Sequence, residues 1–191
     1  MEILNKKIIL ASKSPRRKQL LEQAGFNIEI KTKEVEENYP PGLPIDKVAE
    51  YLAEKKAMAC ADFLATENDI LLAADSVVIL SDKIYGKPKD YQDAFNIIAE
   101  LSGNMHQVIT GVCLLSKTKK KVFRGISNVF FQPISDDEIN YYIENYKPYD
   151  KAGAYAIQEW IGLCKISKIE GTYSNIMGLP MEDVYRELNL F

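Results

Sequence analysis

Apolar and polar positions along this chain switch repeatedly between two periods. Lys7 to Ser12 holds the unbroken run Ile8-Ile9-Leu10-Ala11, which predicts a buried first strand. The period then lengthens. Leu20, Leu21 and Ala24 share one helical face, with Ser14 placed to cap, Pro15 at the first helical position and Gly25 at the stop. Phe26, Ile28 and Ile30 alternate with polar residues, as in a half-exposed strand. These segments form a β-α-β start. Glu34 to Pro44 is acidic, contains three prolines and predicts a loop. Ile45 to Leu64 is helical in period, with Ile45, Val48, Ala49, Leu52, Ala59, Cys60 and Phe63 on one stripe. Lys56 falls where that stripe predicts an apolar residue.

Ile70 to Leu80 predicts a strongly apolar strand interrupted by Asp75-Ser76. Tyr91 to Leu101 predicts a helix ended by Gly103. His106 to Ser116 and Lys121 to Gln132 read as paired strands. Ser135-Asp136-Asp137-Glu138 matches a capping box and starts a helix reaching Asn145. Asp150 to Gln158 is irregular and rich in Gly and Ala. Leu163 to Ile169 reads as a strand and Met181 to Leu190 as a closing helix. This order predicts an α/β fold with a mixed sheet. There is no internal repeat, low-complexity segment or evident linker.

Composition narrows the class. A chain of 191 residues makes one compact domain or two small lobes, and 47% hydrophobic content supplies a sizeable core. A net charge of -3 argues against non-specific binding to a nucleic-acid polymer. Cys60, Cys113 and Cys164 lack metal-site spacing and fit small buried thiols in a reducing compartment. The N-terminus does not read as a signal peptide, and Ile8 to Ala11 is too short to span a membrane. The expectation is a cytoplasmic protein with no membrane partner.

Several residues could carry chemistry. A strand running into Ser12-Lys13-Ser14-Pro15-Arg16-Arg17 and a helix forms an anion site, because unpaired N–H groups, hydroxyls and guanidinium forks converge there. The same letters also describe a capped helix with two solvated arginines. Lys56 either snorkels to water or directs its ammonium at a phosphate. Lys55 lies off the stripe and reads as solvated. Asp75, inside a core strand, is either a structural residue bonded to local N–H groups or a ligand and proton acceptor. Gly86-Lys87-Pro88 is a turn whose lysine could supply a second cation. Glu36 and Glu37 are solvated acids or, converging with Asp75, a magnesium site. Asp150 to Gln158 is a tight packing turn or a place of close backbone approach ending in an amide that reads a base edge. The single histidine, His106, has no identifiable nucleophile partner and reads as structural.

Taken together these residues resemble the Maf family of nucleoside triphosphate pyrophosphatases. The matching pieces are Leu10 to Arg17, Lys56-Ala57, Ala74 to Val78, Gly86-Lys87-Pro88 and Leu101-Ser102-Gly103, followed by Asp150 to Tyr155 with Gln158, Glu170 to Tyr173 and Gly178-Leu179-Pro180. The resemblance implies a single ITPase-like α/β domain over residues 1–191, with two lobes around an elongated mixed β-sheet and a central nucleotide cleft. It implies hydrolysis of a nucleoside triphosphate to monophosphate and pyrophosphate with a divalent metal, magnesium or manganese, and a possible homodimer. It makes Asp75 the proton acceptor, Ser12, Arg17, Lys56 and Lys87 the substrate contacts, and Glu37 with Asp75 the metal ligands. It assigns substrate choice to Arg16, Ser76 and Gln158, in a pattern that resembles the branch acting on dTTP and UTP. Ser76 stands where that branch usually has threonine, and Gln158-Glu159-Trp160-Ile161-Gly162 replaces the usual Gln-Gly-x-Gly. An alternative within the family is action on modified or other nucleotides. Another is a nucleotide-binding regulator of cell division with little turnover.

Overall fold

The structure, a computed structural model, describes residues 2–191. Its elements alternate as the periods predict: β1 (Lys7–Leu10), α1 (Pro15–Gln23), β2 (Asn27–Ile30), α2 (Val48–Ala59), β3 (Ile70–Leu80), β4 (Lys83–Tyr85) and α3 (Tyr91–Leu101). There follow β5 (Met105–Leu115), β6 (Lys120–Phe131), α4 (Asp136–Tyr146), α5 (Trp160–Lys165), β7 (Ile166–Glu170), α6 (Tyr173–Met177) and α7 (Met181–Leu190). Strand order is β2-β1-β3-β5-β6-β7, with β4 on β3. β1 pairs parallel to both β2 and β3, whereas β4 on β3 and β7 on β6 are antiparallel. The α/β fold with a mixed sheet is borne out.

Contacts divide the chain into two compact units. One comprises Met1–Asp75, Thr110–Gly125 and Gly178–Phe191; the other comprises Ser76–Ile109 and Ile126–Met177. Each has a hydrophobic core of its own. In the first, Ile9, Leu71 and Ala73 of the strands pack with Ala53 and Ala57 of α2 and with Cys60 just beyond its end. In the second, Ile97, Ile98 and Leu101 of α3 pack with Ile139, Tyr142 and Ile143 of α4, and with Val129 and Phe131 of β6. Fully burying one such aliphatic side chain contributes about 1.5–3 kcal/mol, so these faces hold the helices in place. Among the described residues, no helix is long and apolar enough to cross a membrane.

Local chemistry sets the boundaries. Ser135 and Glu138 form the expected capping box at α4. Asp90 caps α3, accepting from Asp93 N at 2.8 Å. Four expectations are corrected. Ser14 occupies the N-cap of α1, but its side chain makes no cap hydrogen bond; instead Ser12 Oγ accepts from Ser14 N at 3.2 Å. The helical segment Ile45–Leu64 is one α-helix flanked by 3-10 turns at Ile45–Lys47 and Ala61–Phe63. Residues Leu163 to Lys165 are helical, not extended. Their apolar letters suggested a strand, yet Leu163 is 78% exposed, and Leu163 N bonds back to Glu159 O at 3.1 Å. Cys60 and Cys113 are buried thiols, but Cys164 is exposed on the outer face of α5.

Candidate active site

In the first unit β1 ends by delivering Ala11 to Leu72, whose carbonyl accepts from Ala11 N at 2.8 Å. The chain then turns through buried Ser12 into α1. Arg17 lies on the first turns of that helix, and its fork turns inward. Nη1 donates to Ser12 Oγ at 3.1 Å and to Ala74 O at 2.8 Å; Nε donates to Gly178 O at 2.8 Å. One planar group thereby ties three distant segments of the unit together, which an ammonium could not do in the same geometry. Gly178 has φ +117°, a conformation natural to glycine, and this aims its carbonyl. Burial pulls the guanidinium pKa below its ordinary value, the Asp75 charge opposes that shift, and neighbouring Arg16 adds to it. The group remains a cation at any physiological pH.

Lys56 projects from α2. Its Nζ lies 2.5 Å from Asp75 Oδ1 and 2.8 Å from Glu37 Oε1. The Lys56 and Asp75 side chains are only 18% and 12% exposed, and Glu37 is 46% exposed. The lysine on the apolar stripe therefore turns to two carboxylates rather than to water. The cost of burying Asp75 is offset by that ammonium. Lys55 departs from the solvated expectation: its Nζ donates to Asn38 O at 3.1 Å and to the Asn38 side chain, fastening the Glu34–Pro44 loop to α2. Glu36 turns to Asn38 Nδ2, at 2.8 Å, so Glu37 alone of the two joins Asp75. Among the described residues no group of three or more His, Cys, Asp and Glu side chains is arranged for a metal.

Ser12, Arg17, Lys56, Glu37 and Asp75 are thus gathered in the first unit, with half-buried Arg16 beside Arg17. Ser76, Lys87 and Gln158 lie in the second. Ser76 is half-buried next to Asp75 on β3, and Lys87 is exposed. The Lys87 turn is held from behind, because Gly86 O accepts from Gly153 N at 3.0 Å. Gly153 has φ +73°, and a Cβ there would meet Val78 Cγ2 at 2.8 Å. Gly153 therefore packs closely on Val78. Gln158 follows it with its Oε1 buried and without a hydrogen-bond partner among the described residues. His106 is also buried: its Nε2 shares a hydrogen bond of 2.7 Å with Tyr155 OH, and burial pushes its pKa down to about 4. It serves the second core, packed edge-on against Phe131 and Tyr155.

Sequence reasoning missed the carbonyls of Ala74 and Gly178 as partners of Arg17, because backbone acceptors leave no mark in side-chain letters. It also missed Tyr142, which sits at i+3 from Ile139 on the apolar face of α4 and reads as core.

The fold and the site define a class: an α/β protein that gathers cations and a carboxylate pair beside a strand–helix turn. Residues 7–191 match the Maf-like protein family, and the chain belongs to that family. A dTTP/UTP pyrophosphatase of Cytophaga hutchinsonii is 50% identical over 185 residues, which cover 96% of this chain and 84% of the relative. One of Flavobacterium johnsoniae is 48% identical over 182 residues, covering 95% and 93%. The solved Staphylococcus aureus Ham1 protein overlaps 69% of this chain and 73% of its own, at 19% identity and a TM-score of 0.46.

Proposed function

We propose that the chain hydrolyses nucleoside triphosphates, dTTP and UTP in particular, to nucleoside monophosphate and pyrophosphate. The observation that carries this reading is Lys56 clasped by Asp75 and Glu37 beside the Arg17-bearing helix start. The names of the relatives support it. Lys56 and Lys87 bind triphosphate oxygens. Arg17 donates to Ser12, Ala74 and Gly178, so it contributes its charge and holds Ser12 in place. Asp75 orients a water toward the α-phosphorus and takes its proton while the α–β anhydride bond breaks. The positive groups then stabilise charge growing on the departing pyrophosphate. Arg16, Ser76 and Gln158 select the base.

A divalent metal fits the donor set. Glu37 and Asp75 already place carboxylate oxygens around one cation, the Lys56 ammonium, and magnesium characteristically takes one or two carboxylates with phosphate oxygens and waters. Glu37 and Asp75 would hold it, and when bound it would neutralise phosphate charge.

The test is a panel of nucleoside triphosphates with magnesium and manganese, with both products identified. Monophosphate plus pyrophosphate, with dTTP and UTP preferred, is expected. Diphosphate plus inorganic phosphate would overturn the reaction. Tight binding with no monophosphate would mark a nucleotide-binding regulator instead.

A further inference from the structure

The turn that carries Gln158 is closed by a single phenol. Tyr142 OH accepts from Ala156 N at 3.1 Å and donates to the Glu159 carboxylate at Oε2. The backbone completes the ring, since Glu159 N donates to Ala156 O at 3.2 Å. Gln158 therefore lies inside a four-residue turn whose two ends are held by one hydroxyl. Lys151 Nζ stands 3.4 Å from the other Glu159 oxygen and 2.8 Å from Asp150, so the Glu159 charge is countered in place. α5 presses on the same turn: Gly162 lies so close to the backbone of Ile157 that any Cβ would collide with it. Tyr142 itself is fully buried and stacks on Tyr146 with 5.0 Å between centroids. Burial and the Glu159 charge hold the phenol protonated, so it stays a donor.

We infer that Tyr142 and Glu159 are positioning residues for base selection, acting by fixing the backbone that presents the Gln158 carboxamide. This rests on the proposed role of Gln158 as base reader. The chemistry of the reader follows from its buried Oε1, which has no hydrogen-bond partner among the described residues. That oxygen needs a donor, and the N3–H of uracil or thymine is one, with a flanking carbonyl to accept from the amide Nε2. Cytosine offers a lone pair at N3, so acceptor would face acceptor. Discrimination of this kind holds only while the amide cannot turn over, because a reversed carboxamide would suit cytosine. A turn with both ends tied to one buried phenol fixes the backbone from which that amide is presented. Glu159, which departs from the glycine usual at this place, supplies the tie.

The experiment compares kcat/KM for UTP and CTP, which differ at the base alone. Tyr142→Phe keeps the ring and removes the hydroxyl, and it should lower the UTP:CTP ratio by roughly tenfold, the equivalent of one hydrogen bond. Glu159→Ala should do the same and decides the matter if Tyr142→Phe does not fold. Glu159→Gln keeps an acceptor for the phenol and should retain the ratio within about twofold, on the same hydrogen-bond scale. In a Gln158→Ala background the Tyr142→Phe change should no longer alter the ratio. Equal losses on UTP and CTP, whether from Tyr142→Phe or from Glu159→Ala, would overturn the inference. A wild-type enzyme that turns over both nucleotides alike, or one unmoved by Gln158→Ala, would instead sink the base-reading role beneath it.

Discussion

In the first unit, Lys56 stands between two carboxylates, and Arg17 donates to three oxygens of the same unit. In the second, Gln158 keeps a buried oxygen without a hydrogen-bond partner among the described residues, while the turn around it is tied to a neutral phenol. The first arrangement is built from charge, which is long-ranged and indifferent to the base. The second is built from the direction of one amide, which is short-ranged and specific. An ammonium carries three donors, so Lys56 can serve a substrate phosphate as well as its two carboxylates. An unpaired acceptor waits for one particular donor. The contrast suggests that damage to the Arg17, Lys56 and Asp75 cluster lowers turnover for every nucleotide, whereas damage around Gln158 rearranges preference.

The largest effect should come from Asp75→Asn. Losing a proton acceptor costs about 10²–10⁴-fold in kcat, while nucleotide binding measured by calorimetry should persist. Full turnover in that variant would break the assignment of chemistry to the first unit.

Acid should separate the units by a different route. His106 has a folded pKa of about 4 against 6.5 in the unfolded chain, because burial disfavours its charged form. The unfolded state therefore binds the extra proton between pH 6.5 and 4, and stability falls as pH falls through that window. The contribution is full above pH 6.5 and amounts to about 3 kcal/mol. Denaturant midpoints across this range should drop in the wild type. They should drop less in His106→Gln, which removes the titration but also disturbs the Tyr155 contact. Equal slopes would show that the histidine does not govern acid lability.

Arg17→Lys comes next. It preserves charge and loses the fork, so kcat/KM should fall by roughly 10-fold or more for all nucleotides alike, as two or three hydrogen bonds are broken. A change confined to one base would contradict the division of labour. The smallest effect belongs to Arg16→Ala. We expect a shift of about threefold in relative kcat/KM among UTP, dTTP and CTP, below one full hydrogen bond. A uniform loss instead would place Arg16 with Arg17 as a general anion contact.

Much of this was legible in the chain itself. β3, α3 and α7 begin and end where their periods do, and the Ser135 capping box is where its spacing put it. These features depend on neighbours in sequence, so the letters carry them. α5 departs from the extended reading because Leu163 and Cys164 are apolar yet exposed, and the bond from Leu163 N to Glu159 O closes a helical turn there. Ile30 belongs to the apolar alternation of β2 and is nonetheless 47% exposed, as befits a strand at the end of the strand order. Lys56 was ambiguous by sequence because an ammonium on an apolar stripe looks alike whether it meets water or a carboxylate.

By itself the sequence determined the α/β order of elements, the cationic strand–helix turn, the odd acid in a core strand and the ordered set of motifs. Each follows from residue type and local spacing. Only the tertiary structure decided which partners those groups take: Lys56 with Asp75 and Glu37 from 19 residues away on either side, Arg17 with a carbonyl 161 residues distant, and Tyr142 closing the Gln158 turn. Such pairings depend on where the folded backbone places donors and acceptors in three dimensions. Backbone carbonyls and a core tyrosine reveal nothing of that in the one-dimensional pattern.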